Sequence, residues 1–163
     1  MAMISDASAS VTLCHALATL AYRTGKTLRG APPDFENFSA APGTRTPAQI
    51  LAHVGDLLDW AAGLADGRNE FHESDPLPWD QELDRFFRAL ATLDQRFASA
   101  APLGFPAERI FAGPIADALT HCGQLAMLRR MAGSPVRGEN YFQAHITSGR
   151  VGSDQAAPVR EFD

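Results

Sequence analysis

The chain has 163 residues, enough for one domain with a substantial core. Hydrophobic residues make up 45% and charged residues 20%, a balance that suits a folded globular chain and excludes a disordered one. The net charge of −5 and the absence of a basic patch argue against a nucleic-acid partner, and no apolar run is long enough to span a membrane.

The first residues, Met-Ala-Met-Ile-Ser-Asp-Ala-Ser, lack a basic stretch followed by an apolar one, so no signal peptide is expected. A first helix is predicted from about Ser10 to Thr27, where Leu13, Leu17, Leu20, Thr24 and Leu28 recur at helical spacing. Arg23, Lys26 and Arg29 lie near its end, where cations suit the helix dipole. A loop from about Arg29 to Arg45 follows, rich in proline, with Phe35 and Phe38 as anchors.

The second helix has the clearest start. Thr46 reads as the N-cap, Pro47 as the first helical residue, and Gln49 completes a capping box. Ile50, Val54, Leu57, Leu58, Ala61 and Leu64 mark its buried face, and it should stop near Gly67. Asp75-Pro-Leu-Pro78 breaks the chain before a third helix from about Trp79 to Ala98. Leu83, Phe86, Phe87, Leu90, Leu93 and Phe97 form one face of it, with Asp84, Arg85, Arg88 and Gln95 available for solvent.

A fourth helix is predicted to start at Gly113 and Pro114 and to end before Gly133. It is apolar nearly all round, apart from Arg129 and Arg130, which suits burial against the core on one side and a second subunit on the other. Residues 134 to 163 show no strong periodicity and read as an irregular tail wrapping the bundle, with Tyr141, Phe142 and Ile146 as candidate anchors. The expected fold is all-α, a single four-helix domain over residues 1–163, with the bundle at about 10–132 and the tail beyond.

One constellation looks like chemistry. Asp117 and His121 are four residues apart, so they share a helical face one turn apart. His53 lies on the second helix. If those helices face each other, two imidazoles and a carboxylate can reach one divalent ion and leave coordination positions open. The same residues are compatible with a hydrogen-bonded core histidine and a helix salt bridge. Asp56, three residues after His53, is a candidate to orient an imidazole or accept a proton, against a solvated helix-edge acid. Gln124, one turn past His121, is a candidate to bond a ligand or substrate, against a buried polar residue satisfied by backbone. Trp60 and Trp79 are candidate pocket walls, though large aromatics also serve as plain core.

Two cysteines are too few for a disulfide framework, and a reducing cytoplasm is the simplest compartment. Cys122 points about 100° away from His121 and reads as a core residue. Cys14 has no visible partner. His15 and His72 are expected at the surface, and His145 in the tail is an outside candidate for a further ligand.

The stretch Pro47-Ala-Gln-Ile-Leu-Ala-His-Val-Gly-Asp-Leu-Leu-Asp-Trp60 resembles the second helix of DinB/YfiT-like proteins. His121-Cys-Gly-Gln124 is similar to that family's His-Arg-Gly-Gln signature, and Trp79-Asp-Gln-Glu-Leu-Asp-Arg-Phe86 fits its third helix. The resemblance covers roughly residues 10 to 132. It implies an up-down-down-up four-helix bundle, often dimeric, with a divalent metal held by three histidines. One comes from the second helix and two from the last, spaced i and i+4. It places His53 and His121 in two of those roles and puts Asp117 where the remaining histidine is expected. Zinc or nickel comes first as the metal, with iron or manganese behind them. The resemblance further implies a metal-dependent enzyme of thiol-transferase or hydrolase type, acting on a small molecule with a low-molecular-weight thiol as co-reactant. The alternative is a non-catalytic binding or stress-related bundle whose metal site is structural or degenerate.

Overall fold

The computed structural model describes residues 6–99 and 101–162. The reading of the extreme N-terminus lies outside the described residues. Four long helical segments dominate: α1 (Asp6–Leu28), α2 (Pro47–Ala65), α3 (Trp79–Ala98) and a composite fourth. The fourth begins with α4 (Ala107–Ile110), passes through a wide π-helical turn (Phe111–Ile115) and continues as α5 (Ala116–Met131). Helices α3 and α5 each pack against both α1 and α2. One buried cluster joins all four and includes Leu17, Leu51, Phe86, Leu90 and Leu125. No described helix is long and apolar enough to cross a membrane.

The start of α2 follows its local code. Thr46 Oγ1 accepts from the Gln49 N–H at 3.3 Å, and Gln49 Oε1 accepts from the Thr46 N–H at 2.9 Å. Two orphan amides of the first turn are thereby satisfied reciprocally. Past the end of the helix, Gly67 takes φ +84°, a left-handed conformation that costs glycine nothing.

The fourth helix departs from expectation, since it begins six residues before Gly113. Proline lacks an N–H and its ring crowds the carbonyl four residues back. Here Pro114 lies inside the helix, and the π-helical turn around it absorbs that defect without ending the helix. At the other end, Arg129 is buried. Its guanidinium donates to the Thr27 and Arg29 carbonyls at 2.7 and 3.1 Å, and to the Ser134 carbonyl and hydroxyl at 2.9 Å each. Orphan carbonyls at the end of α1 are satisfied from α5.

The tail is irregular except for a two-stranded antiparallel clip, β1 (Gly138–Glu139) with β2 (Glu161–Phe162). Phe162 lies so close to Gly138 that a Cβ there would stand 2.6 Å from its ring, which only glycine avoids. Glu139 is buried against α1, accepting from the Tyr22 hydroxyl and from Lys26 Nζ, both at 2.8 Å. Tyr141 packs edge-on against Tyr22, with the Arg23 guanidinium 4.4 Å over its ring. Ile146 packs on the core. Phe142, expected as an anchor, is 98% exposed. Its side chain falls in a turn after Asn140, where no periodic pattern fixes the inward face.

Candidate metal centre

The capped start of α2 sets His53 in the second turn of that helix, facing α5. The wide turn at Phe111–Ile115 precedes Asp117 by less than one turn, and the regular α-helix beyond it stacks Asp117 and His121 on one face. One ligand atom from each of His53, Asp117 and His121 lies within 4.8 Å of the others. Asp117 Oδ2 stands 3.7 Å from His53 Nε2, and its Oδ1 stands 3.5 Å from His121 Nε2. The two imidazoles meet edge to face with centroids 4.8 Å apart. Around a bound divalent ion with bonds near 2.0–2.2 Å, ligand atoms sit about 3–3.5 Å apart. The two carboxylate–imidazole spacings, each to a different Asp117 oxygen, are close to that, and the full spread of the three ligand atoms is wider, up to 4.8 Å.

The hydrogen bonding orients the imidazoles toward the shared space. His121 Nδ1 is 2.7 Å from Gln124 Oε1. A carboxamide oxygen only accepts, so Nδ1 donates in this contact and Nε2 is the nitrogen turned toward Asp117. His53 titrates below the usual histidine range. Burial is the main cause, with His121 and Arg45 adding to it and Asp117 and Asp56 opposing. A neutral imidazole is the form that binds metal. His53 Nδ1, on the far side of the ring from Asp117, is buried without a hydrogen-bond partner among the described residues.

Both imidazoles are largely enclosed, while the Asp117 side chain is 48% exposed. Asp117 therefore forms the open side of the group. It faces a cleft of about 410 Å³ lined by Trp60, Ala112, Gly113, Ala116, Asp117 and Thr120. Phe71 closes the other flank, edge-on to His53 at 6.0 Å and to Trp60 at 5.7 Å. Phe71 was missed by sequence reasoning, because Glu70-Phe-His-Glu-Ser74 carries no periodicity and reads as a polar loop. That segment is pinned at both ends: Trp60 Nε1 donates to Asn69 Oδ1 at 3.0 Å, and the Ser74 N–H donates to Asp56 Oδ2 at 2.8 Å.

Other expected residues fall elsewhere. Asp56 is buried, yet its oxygens are taken by Ser74 and by Arg85 Nη2 at 2.6 Å, so it makes no hydrogen bond to His53. Arg85, expected in solvent, is drawn in by that ion pair, by Asp59 and by the nearby Glu82. Trp79 packs edge-on against Phe35 rather than on the cleft. Cys122 is buried, and burial pushes its thiol up, which leaves it inert. Cys14, expected without a partner, donates to the Asp94 carbonyl at 3.8 Å. His15, His72 and His145 are exposed, and His145 is not part of the cluster. The tail docks on α1, and it is Phe71 of the 68–74 segment, not the tail, that packs beside His53.

Comparison with protein-family models, with curated proteins and with solved structures finds no match.

Proposed function

We propose that the chain is a divalent-metal-binding helical bundle of the DinB-like, up-down-down-up kind, in which His53, Asp117 and His121 hold zinc or nickel. We assign it to metal-dependent enzymes of thiol-transferase or hydrolase type that act on a small molecule in the cytoplasm. The observation that carries the reading is the convergence of two imidazole nitrogens and a carboxylate from α2 and α5 within 4.8 Å. What a divalent ion supplies at such a site is Lewis acidity, which favours the deprotonated form of a thiol or water. The chain's own residues do the rest. Gln124 holds the His121 tautomer, Phe71 and Trp60 keep bulk water from one flank, and Asp117 presents the open side to the cleft.

Aspartate at position 117, where the resemblance expects the remaining histidine, adds one negative charge and a harder ligand, which tilts the preference away from soft ions. A second reading, a non-catalytic or stress-related bundle whose metal is structural or absent, is favoured by the missing third histidine, with Asp117 in its place.

Elemental analysis of protein purified without added metal tests the proposal. About one divalent ion per chain, lost in His53→Ala and His121→Ala, is expected. Less than about a tenth of an equivalent, unchanged after incubation with zinc or nickel, would reject it. A His121→Ala variant that sheds its metal and also loses much of its melting temperature would select the structural reading over the catalytic one.

A further inference from the structure

Away from the metal centre, with no residue in common, a cavity of about 680 Å³ opens between the N-terminal part of α1 and the C-terminal end of α3. That volume falls in the range of small-molecule sites. Its walls are mostly apolar, with Val11, Phe97, Pro102 and Leu103 among them. The tail supplies the remaining rim through Ser148 and Gly149. Those two residues are held from both sides, by Ile146 packed on the core and by buried Val151. Gly149 has φ +85°, which lets the tail turn back along the rim. The clip at Glu139 fixes the tail to α1, so the cavity has a built wall rather than a chance one.

Among the described residues, two ionisable groups lie in the lining, the Asp94 carboxyl and the Cys14 thiol, and no lysine, arginine or histidine accompanies them. Asp94 Oδ1 is buried and has no hydrogen-bond partner. Burial raises the Asp94 pKa above its ordinary value, with the Cys14 contact opposing. The Cys14 thiol is pushed up to about 11 by burial and by Asp94, so it stays protonated and is no nucleophile. A half-buried carboxyl with one buried, unpartnered oxygen, on a mostly apolar wall with no cation among its described lining residues, complements a cation with several N–H donors on an apolar body.

We infer that this cavity is a binding site for a small hydrophobic amine, with the ammonium on Asp94 and the hydrocarbon against Val11, Phe97 and Leu103. The ammonium offers three donors and restores the charge balance that burial removed. An alcohol of the same length fills the chamber and lacks the charge, while a carboxylate places like charges together.

Titration calorimetry of the full chain with octylamine, octanol and octanoate tests the site. Octylamine binds saturably and about tenfold tighter than octanoate, the value of one charge-assisted contact. Asp94→Asn removes about tenfold of the octylamine affinity and leaves octanol unchanged. Ala98→Trp, which places an indole at the rim, abolishes binding of all three, and His121→Ala changes none. Octanoate binding as tightly as octylamine, an unchanged octylamine affinity in Asp94→Asn, or no saturable binding of octylamine overturns the proposal.

Discussion

At the scale of single residues, the candidate centre depends on which nitrogen of His121 carries the proton. Gln124 settles it, because its carboxamide oxygen can only accept, which commits Nε2 to the group shared with Asp117 and His53. A ligand imidazole held this way loses less freedom on binding and keeps its basicity, and removing such a support costs about 10–100-fold in metal affinity. Gln124 itself is exposed, so truncating it opens no cavity. Gln124→Ala is therefore expected to weaken zinc binding by about tenfold, read by competition with a chelator, with a melting temperature close to that of the parent. An affinity unchanged within twofold would show that the 2.7 Å contact does no positioning. His53 has no such support on its Nδ1, which makes it the less constrained of the two imidazoles. Of the candidate residues, Asp117, His121 and Gln124 are legible from i, i+3 and i, i+4 spacing on one apolar helix, and His53 from its place on a second. Asp56 was misread for the same reason that its neighbours were read well. Helical spacing gives a face, but it cannot show that Arg85 of α3 would claim the carboxylate first.

At the scale of elements, local codes translated faithfully and long-range ones did not. The capping box of α2 and the apolar stripe of α3 are written within a few residues, and both helices run as expected. The start of the fourth helix was misplaced because Pro114 is equally at home at a helix start and inside a π-helical turn, and only packing of Ile110 and Ile115 into the core decides. The same helix was expected to be apolar on two sides. Leu125, Leu128 and Ala118 take the core side, while Thr120, Gly123, Met127 and Met131 form an exposed stripe at helical spacing. Met127 and Met131 are each about half exposed, and nothing lies within 4 Å of the position a Gly123 side chain would take. Small residues and methionines on an open helix face allow a second copy to approach closely. A homodimer through α5 is the expected outcome, with twice the monomer mass in light scattering at micromolar concentration, reverting to monomer in Met127→Lys. A monomer mass for the parent protein would dismiss it.

At the scale of the whole molecule, the tail turns a four-helix arrangement into one with a second chamber, and its attachment rests on a buried charge cluster. Glu139 pairs with Tyr22 across 117 residues of sequence, a contact for which no periodicity or spacing gives notice. Burial alone would raise the Glu139 pKa, but the hydrogen bonds from Lys26 and Tyr22 outweigh it and hold the carboxyl below the usual range. For Lys26 burial opposes the charge, and contacts with Glu139 and Glu161 more than compensate, raising its pKa above the usual lysine range. The signs follow by linkage. A carboxyl whose folded pKa is depressed stabilises above its unfolded pKa of about 4.3, and that contribution is lost as pH falls through the lower folded value. A lysine whose folded pKa is raised stabilises fully below about 10.4 and loses its contribution only as pH rises through the higher folded value. The clip is thus intact across the neutral range and opens first in acid. Amide protection reports it directly, since the Val159 N–H donates to Glu139 Oε1 at 3.3 Å and the Asn140 N–H to the Arg160 carbonyl at 2.9 Å. Protection at both amides is expected to fall between about pH 5 and about pH 3, while core amides of α2 and α3 keep theirs. In Glu139→Gln the neutral carboxamide cannot pair with Lys26 as an ion, so protection at both positions is low from the outset and flat with pH. Protection in the parent that stays constant down to about pH 3 would mean that the tail is held by Tyr141, Ile146 and Val151 alone, with the buried charges contributing nothing.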